Sequence, residues 1–319
     1  MANIFRTFVV SAAMAVCLSA APATAQTVRL IYPQAPGSSG DALTRLIADR
    51  MQAETGQTVI VENRAGGSGR IALTSVKTAA PDGSMLLLTQ MAPMTLFPHV
   101  HKSLDYDPVK DFTPVAQVAT FTFGLAVNND IPVRTPGELL AWLKANPGKA
   151  TFGGPGAGGL PHFFGLLVGR AAGVEMTFVP YKGTANSLTD LISGQTPMVV
   201  GLASDLVQLH KDGKIRVVAT GDRERFPDLP DVPTFAESGI DIVGRGWFGV
   251  YAPANTPPTV VERLNKSIVG ILQSPNVKQR VTALGLRPTG TSAAELAEAQ
   301  KADLDRWGPV IKASGFSLD

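Results

Sequence analysis

The chain has 319 residues, more than one hydrophobic core usually serves, so we expect two domains. Its 45% hydrophobic content can form a substantial core, and its 32 glycines and 24 prolines fall below the range typical of disordered chains. The 28 basic and 26 acidic residues are interspersed and leave a net charge of only +2. This excludes the basic surface of a nucleic-acid-binding protein, so no nucleic-acid partner is expected.

Residues 1–25 are typical of a signal peptide. Arg6 precedes an almost wholly apolar stretch, residues 7–21, and Ala23-Thr24-Ala25 supplies a small-x-small cleavage pattern. The alternative is a membrane anchor, but the apolar stretch is shorter than the roughly 20 residues that span a bilayer. We therefore expect the mature chain to be exported.

The single cysteine, Cys17, lies inside this segment. It could carry a lipid, although Met14 and Val16 do not fit the pattern that usually precedes a lipidated cysteine. Cleavage leaves a chain without thiols, which excludes thiolate nucleophiles, zinc thiolates and iron–sulfur clusters. We expect no cofactor.

From residue 27, short β-rich runs alternate with amphipathic helical stretches. Leu43, Ile47 and Met51 recur on one face of the first helix. The first five elements are predicted as strand, helix, strand, helix and strand, at residues 28–32, 41–55, 58–62, 70–79 and 84–89. This βαβαβ order implies a parallel sheet with right-handed crossovers.

A second α/β unit begins near Phe123. Thr135-Pro136-Gly137-Glu138 forms a capping box with proline at the first helical position. Strands are predicted at residues 124–128, 150–152, 176–179, 197–200 and 215–220. After the proline-rich residues 226–233, a strand at 247–251 leads into three helices and no further strand.

These patterns predict an α/β fold with two lobes. Lobe 1 comprises residues 26–122 and 247–319, and lobe 2 comprises residues 123–246. The chain crosses twice between the lobes, which makes a hinge. Ligand clefts of α/β proteins lie at the carboxyl ends of the strands and often between domains, so we expect the site there.

The loop after the first strand is one candidate wall of this cleft. Its glycines and serines leave amide hydrogens and hydroxyls at a helix N-terminus, where an anion is favoured. The predicted ligand-binding residues of lobe 1 are Pro36, Gly37, Ser38, Ser39 and Asp41, with Thr89 and Gln90 at the end of the third strand. Asp41 either contacts the ligand or stabilises the first helical turn.

A glycine-rich loop in lobe 2 is the facing candidate. It contains the predicted ligand-binding residues Gly154, Gly156, Ala157, Gly158 and Gly159. The loop formally matches G-x-G-x-x-G, but Glu175 comes too early for a dinucleotide site. His162 follows it and either donates a hydrogen bond to a carboxylate or anchors the loop.

Four more residues complete the predicted cleft. Tyr181 and Gly183 follow a strand, and Tyr181 can close over a ligand. Ser204 and Asp205 open a helix, where Ser204 is either a cleft wall or an N-cap.

No catalytic motif is present: the sequence lacks G-x-S-x-G, H-E-x-x-H and a Walker loop. His99 and His101 form an H-x-H pair without a third ligand, so no metal site is expected. The pattern favours binding over catalysis, and an exported hydrolase or lyase using His162 with Asp205 is the alternative.

The chain resembles the substrate-binding proteins of tripartite tricarboxylate transporters, the TctC or Bug family of periplasmic receptors. The resemblance covers nearly all of the mature chain. It rests on seven motifs in order: Val61-Glu62-Asn63-Arg64 with Gly66-Gly67-Ser68-Gly69, Pro81-Asp82-Gly83, residues 104–112, Ala145-Asn146-Pro147-Gly148-Lys149, Val179-Pro180-Tyr181-Lys182-Gly183, residues 229–234, and Trp247-Phe248-Gly249 before Ala252-Pro253.

The resemblance implies a two-lobed fold like that of periplasmic binding proteins, the Venus flytrap. It implies a receptor, expected as a monomer, that closes on a small carboxylate or related solute and delivers it to a membrane permease. It also implies that backbone amides, hydroxyls and water hold the carboxylate. A periplasmic partner of a membrane sensor kinase would use the same cleft, and the sequence does not separate the two.

Some positions depart from the family pattern. Gly37-Ser38 replaces a pair of glycines, and Gly159 replaces a hydroxyl residue. Leu166 replaces a glutamate, and Asp205 adds an acid beside the cleft. These changes favour a monocarboxylate, an aromatic acid, an amide or an amino-bearing ligand over a simple di- or tricarboxylate.

Overall fold

The computed structural model describes residues 27–318, so the predicted signal peptide and Cys17 lie outside the described residues. The first part of the chain forms β1 (Val28–Tyr32), α1 (Ser39–Thr55), β2 (Val59–Asn63), α2 (Arg70–Lys77), β3 (Met85–Gln90), α3 (Met91–Thr95), α4 (Phe97–Val100) and β4 (Phe112–Val127).

The middle of the chain continues the alternation of helices and strands. It forms α5 (Pro136–Ala145), β5 (Thr151–Pro155), α6 (Leu160–Ala172), β6 (Thr177–Tyr181), α7 (Thr184–Ile192), β7 (Met198–Leu202), α8 (Ala203–Lys211) and β8 (Arg216–Thr220). The last part forms β9 (Arg245–Pro253), α9 (Pro258–Gln273), α10 (Pro275–Ala283), β10 (Arg287–Pro288) and α11 (Ala293–Ser314). Between residues 27 and 318, no helix combines the length and apolar character that crossing a membrane requires.

The strands pair in the order β2-β1-β3-β9-β4-β7-β5-β6, with β8 and β10 also pairing with β4. On one side β1 pairs in parallel with β2 and β3, and on the other β5 pairs in parallel with β6 and β7. The predicted parallel βαβαβ unit is therefore confirmed. β9 runs antiparallel to both β3 and β4, and so joins the first parallel group to the centre of the molecule.

β4 is a single long strand that belongs to both lobes. Its residues from Phe112 to Thr122 pair with β9, and its residues from Phe123 onward pair with β7 and β8. This change of partners supports the proposed division into lobes near residue 122, whose exact boundaries stay a prediction.

The sequence predicted only the end of β4, since the predicted strand at residues 124–128 overlaps its last four residues. Nearly all of its residues are buried, so the alternation of apolar and polar residues that marks a half-exposed strand is missing. Pro114 also disfavours a strand prediction, and in the structure the register shifts beside it.

The prediction of no strand after residue 251 was wrong. The two-residue strand β10 pairs antiparallel with β4, with Arg287 opposite Thr120 and Pro288 opposite Ala119. A strand this short has no periodicity, so only its tertiary partner reveals it.

The helices that follow β9 pack on the central strands. Asn265 of α9 donates hydrogen bonds to the Val115 and Thr291 carbonyls at 2.7 and 2.8 Å. From α11, Asp303 accepts a hydrogen bond from the Trp247 indole at 2.8 Å. α11 also reaches α6 of lobe 2, so a helix that follows the last crossover touches both lobes.

The start of α1 is fixed by a close approach of the backbone to Tyr32. The Ser38 hydroxyl caps the helix by accepting a hydrogen bond from the Asp41 amide at 3.2 Å. Gly40 lies directly against the Tyr32 hydroxyl and the Phe248 ring, where a Cβ atom would overlap both. Glycine at this position therefore allows the first loop to pack directly against the strands beneath it.

We predict that Gly40→Ala lowers the free energy of unfolding by about 1–3 kcal/mol, because the added methyl group would force α1 away from Tyr32 and Phe248. Gly270→Ala is the matched control, since Gly270 lies in α9 with open space around its Cβ position, and it should leave stability unchanged or raise it by up to about 1 kcal/mol. Urea unfolding measures both. Equal stabilities for the two variants would contradict the close approach.

Candidate functional site

A cavity of about 570 Å³ opens between the two lobes. On the lobe 1 side it is lined by the loops after β1, β2 and β3, around residues 33–39, 65–69 and 89–93. On the lobe 2 side it is lined by residues 155–161, between β5 and α6, and by Thr184. The carboxyl ends of parallel strands share one edge of a sheet, which is why these loops gather at one opening.

Six of the predicted ligand-binding residues line this cavity, and they come from both lobes. They are Ser39, Thr89, Gln90, Gly156, Ala157 and Gly159. The two glycine-containing loops singled out in the sequence thus face one shared space. Contact of these six residues with a ligand stays a prediction.

Asp41 does not line the cavity, because its carboxylate is buried and bonded within the protein. It accepts hydrogen bonds from the Gly37 amide at 3.1 Å and Asn63 Nδ2 at 2.8 Å, and it pairs with Arg45 at 3.1 Å. Burial alone would raise the pKa of this carboxyl, and the hydrogen bonds outweigh burial and hold the pKa below its ordinary value. Of its two predicted roles, Asp41 fills the helix-stabilising one.

Ser38, Pro36 and Gly37 also lie outside the cavity wall. Ser38 is the N-cap of α1, and its Oγ lies 3.1 Å from the Tyr32 hydroxyl. Pro36 and Gly37 form the exposed outer part of the same loop. The hydroxyl that the sequence assigned to a ligand is therefore used by the helix.

Gly154 and Gly158 lie behind the second loop and not on the cavity wall. Gly154 is a buried residue of β5, where a Cβ atom would press on the Val200 carbonyl and the Phe178 ring. Gly158 has a φ of 74°, a left-handed conformation that favours glycine, and lies against Phe316 and Leu318.

His162 anchors the loop rather than facing the cavity. Its ring is buried between Phe163 and Phe178, with centroids 5.0 and 4.3 Å away, and its Nδ1 accepts a hydrogen bond from the Gly158 amide at 3.3 Å. Burial lowers the pKa of His162 to about 4, so the ring is neutral near pH 7. The structure favours the loop-anchoring alternative, and His162 and Asp205 do not meet in the cavity as a catalytic pair would.

Tyr181 and Gly183 are not part of the cavity wall. The Tyr181 hydroxyl donates to Asp190 at 2.6 Å and lies 2.8 Å from the Thr196 hydroxyl, which holds the ring away from the cleft. Gly183 is the N-cap of α7, and the next residue, Thr184, reaches the cavity in its place.

Ser204 and Asp205 lie in the first turn of α8, outside the cavity. The alternative prediction that Ser204 is an N-cap was wrong, because the cap position is Leu202 and makes no side-chain hydrogen bond. The Ser204 side chain instead packs against Gly285, and Asp205 lies beside the cavity-lining Thr184, where burial raises the pKa of its carboxyl. Within residues 27–318 no group of three or more His, Cys, Asp or Glu residues could hold a metal ion.

Sequence reasoning missed the aromatic centre of the cavity. Phe121 and Phe123 extend from β4, and Phe248 extends from β9. The Phe121 ring lies 5.7 Å from that of Phe123 and 5.2 Å from that of Phe248. The i, i+2 spacing of Phe121 and Phe123 was a signal for a shared strand face, but it required recognising that β4 starts before residue 123.

The polar part of the lobe 1 wall was also underestimated. Gln34 and Ser68 line the cavity beside the predicted Gln90. The buried Tyr32 hydroxyl donates to Gln34 Oε1 at 3.2 Å. Tyr32 therefore orients the Gln34 side chain at the rim, a role that its position inside a strand did not reveal.

The cavity wall carries no ionisable side chain among the described residues. Its polar groups are amides, hydroxyls and backbone N–H groups, and its centre is apolar. Such a surface can bind and orient a small solute, whereas it offers no acid, base or activated nucleophile for a reaction.

The C-terminal segment braces the second loop. The Phe316 ring meets His162 edge-on at 4.7 Å, and the Leu318 amide donates to the Val100 carbonyl of α4 at 2.9 Å. Residues 316–318 thus connect α4 of lobe 1 with the start of α6 in lobe 2.

We predict that His162→Asn removes a pH dependence of stability. The folded protein keeps His162 neutral down to about pH 4, whereas in the unfolded chain it gains a proton near pH 6.5. Protonation therefore favours the unfolded chain, and this contribution to stability falls by about 3 kcal/mol as the pH is lowered from 6.5 to 4. Asparagine keeps an acceptor for the Gly158 amide. Urea unfolding at several pH values should show a smaller acid loss in the variant, and parallel curves would contradict the assignment.

We predict that Phe316→Ala destabilises the protein by about 1–2 kcal/mol, less than a fully buried phenylalanine because the ring is half-buried. The destabilisation should be concentrated around the second loop, so hydrogen exchange of the Gly158 amide should also become faster. Lys312→Ala, at an exposed position of α11, is the control and should change neither quantity. Unchanged exchange at Gly158 in Phe316→Ala would show that the segment does not brace the loop.

Comparison with known proteins places this cavity in context. Residues 43–316 match the family described as "Tripartite tricarboxylate transporter family receptor". An R. palustris protein whose structure was determined with adipate is 32% identical, with a TM-score of 0.78 over 91% of this chain and 98% of that one.

Two further structures agree. The periplasmic binding protein BugD is 31% identical, with a TM-score of 0.74 over 91% of this chain and 98% of that one. MatC from Rhodopseudomonas palustris, with bound malate, is 30% identical, with a TM-score of 0.74 over 89% of this chain and 98% of that one. The family match spans most of the chain and confirms the resemblance carried by the sequence motifs. The chain therefore belongs to the TctC family of tripartite tricarboxylate transporter receptors.

Proposed function

We propose that this protein is a periplasmic receptor that captures a small carboxylate between its lobes and delivers it to a membrane permease of the tripartite tricarboxylate type. One observation carries the proposal: a single cavity of about 570 Å³ is lined by strand-to-helix loops from both lobes. A ligand in it would contact both lobes at once.

The chemistry of the two loops supports an anionic ligand. α6 begins in the second loop without a side-chain cap and without an acid in its first turn. The N–H groups at such a helix end and the helix dipole favour a negative charge. The related structures solved with adipate and malate support the same class of ligand.

Two-sided contact would couple binding to closure. A ligand shifts the balance between open and closed forms only by as much as it prefers the closed form. β4 and β9 both pass between the lobes at one edge of the cavity and are the segments that would bend. Closure would then present a surface that exists only in the loaded receptor, which a permease can recognise.

We predict that bulky substitutions in either lobe weaken carboxylate binding by more than tenfold. Ala35→Trp and Ala157→Trp each place a large side chain on the cavity wall at an exposed position, so folding should be unaffected. Ala53→Trp, exposed on α1 and outside the cavity, is the control. Calorimetric titration with adipate, malate and a panel of other acids measures affinity. If either cavity variant binds like the control, the two-lobe clamp is wrong.

Delivery to a permease is tested separately, in cells. Deleting the gene should abolish uptake of the radiolabelled acid that binds most tightly in vitro, and the wild-type gene should restore it. Restoration by the Ala157→Trp variant should fail. Undiminished uptake in the deletion strain would reject the transport role while leaving the binding measurements in place.

A further inference from the structure

The cavity has different electrostatic character at its two ends. On the lobe 1 side, the positive end of α1 is already occupied by the buried Asp41 carboxylate, which Arg45 and Asn63 also hold. On the lobe 2 side, α6 has no acid in its first turn, and burial raises the pKa of Asp205, which lies beside Thr184 of the cavity wall. No hydrogen bond within the described residues uses the amides of Ala157 and Leu160. The two ends of the cavity therefore differ in how favourably they can bind an anion.

No cationic side chain on the cavity wall compensates for the charge at the lobe 1 end in the described residues. No lysine or arginine lines the cavity in the described part of the chain. Arg45, near the loop after β1, is paired with Asp41, and Arg70, near the loop after β2, donates to the Gly67 carbonyl at 3.2 Å. A second carboxylate at the lobe 1 end would lie near the Asp41 charge without a counterion, which disfavours binding.

The lobe 1 end offers neutral hydrogen-bonding groups instead. Tyr32 engages Gln34 through its Oε1 atom at 3.2 Å, which leaves the Gln34 amide hydrogens for another acceptor. Gln90, Ser39 and Ser68 add further uncharged donors on the same wall.

The space between the two ends is apolar. The Phe121 ring lies 5.7 Å from that of Phe123 and 5.2 Å from that of Phe248 along one side, and Leu202 and Leu286 line it further. Burying apolar surface here is favourable, whereas a hydroxyl in the middle of the ligand would lose its hydrogen bonds to water.

We infer that the cavity selects a monocarboxylate with an apolar body and an uncharged hydrogen-bonding group at its far end. The carboxylate lies at residues 157–160 of lobe 2, the body lies beside Phe121, Phe123 and Phe248, and the neutral end meets Gln34 and Gln90. This inference rests on the proposed function and specifies the ligand class and its orientation.

Matched ligands test the charge preference. Adipate monoamide and adipate have nearly the same shape and differ by one charge, and 4-carbamoylphenylacetate and its diacid form a second pair with a ring. Calorimetric titration should show each monoamide binding at least about tenfold tighter than its diacid, with malate weakest because of its hydroxyl. Equal or tighter binding of the diacids would overturn the inference and leave the proposed carboxylate receptor intact. If no acid of the panel binds, both proposals fail.

Paired substitutions test the orientation. Ala157→Asp adds a negative charge at the lobe 2 end, and Ala157→Asn adds nearly the same volume without charge. The aspartate should weaken adipate monoamide binding at least about tenfold relative to the asparagine. At the lobe 1 end, Ser39→Asp relative to Ser39→Asn should change affinity less than about threefold. An equal or reversed pattern would overturn the assigned orientation, and circular dichroism of all four variants checks that they fold.

Discussion

The strand pair β4 and β9 holds the molecule together and also shapes its cavity. β4 pairs with β9 along its first part and with strands of lobe 2 along its second part, so one continuous backbone carries both halves. Because Phe121 and Phe123 lie where the pairing changes, the same feature places their rings, with that of Phe248 from β9, on the cavity wall.

Buried contacts hold the backbone amides of the loops around these aromatic rings in place. In lobe 1 the Tyr32 hydroxyl lies under the loop, and Gly40 lets α1 start directly above it. In lobe 2 the neutral His162 ring and the C-terminal Phe316 hold Gly158. Both arrangements use side chains beneath the loops to fix their backbone, which reduces the ordering that a ligand would otherwise have to impose.

The fold is shared with related proteins solved with adipate and with malate, whereas the details of the wall belong to this chain. The structures with adipate and malate show that similar folds accept different acids. In this chain, an acid within α1 and none at the start of α6 make the two ends of the cavity unlike. Selectivity within the family can thus arise from charges that do not touch the ligand but set the potential at each helix end.

The sequence by itself determined the α/β alternation, the parallel βαβαβ unit, the two glycine-containing loops and the family, because these depend on local periodicity, turn residues and short motifs. Tertiary structure decided which residues of those loops reach the cavity. Ser38 and Asp41 form hydrogen bonds at the start of α1 instead. His162 is hydrogen-bonded to Gly158, and Tyr181 to Asp190. A side chain's hydrogen-bond partner depends on which distant residue packs against it, and so does the burial of β4 on both faces. Neither the hydrogen-bond partner nor the burial of β4 can be predicted from a local sequence pattern.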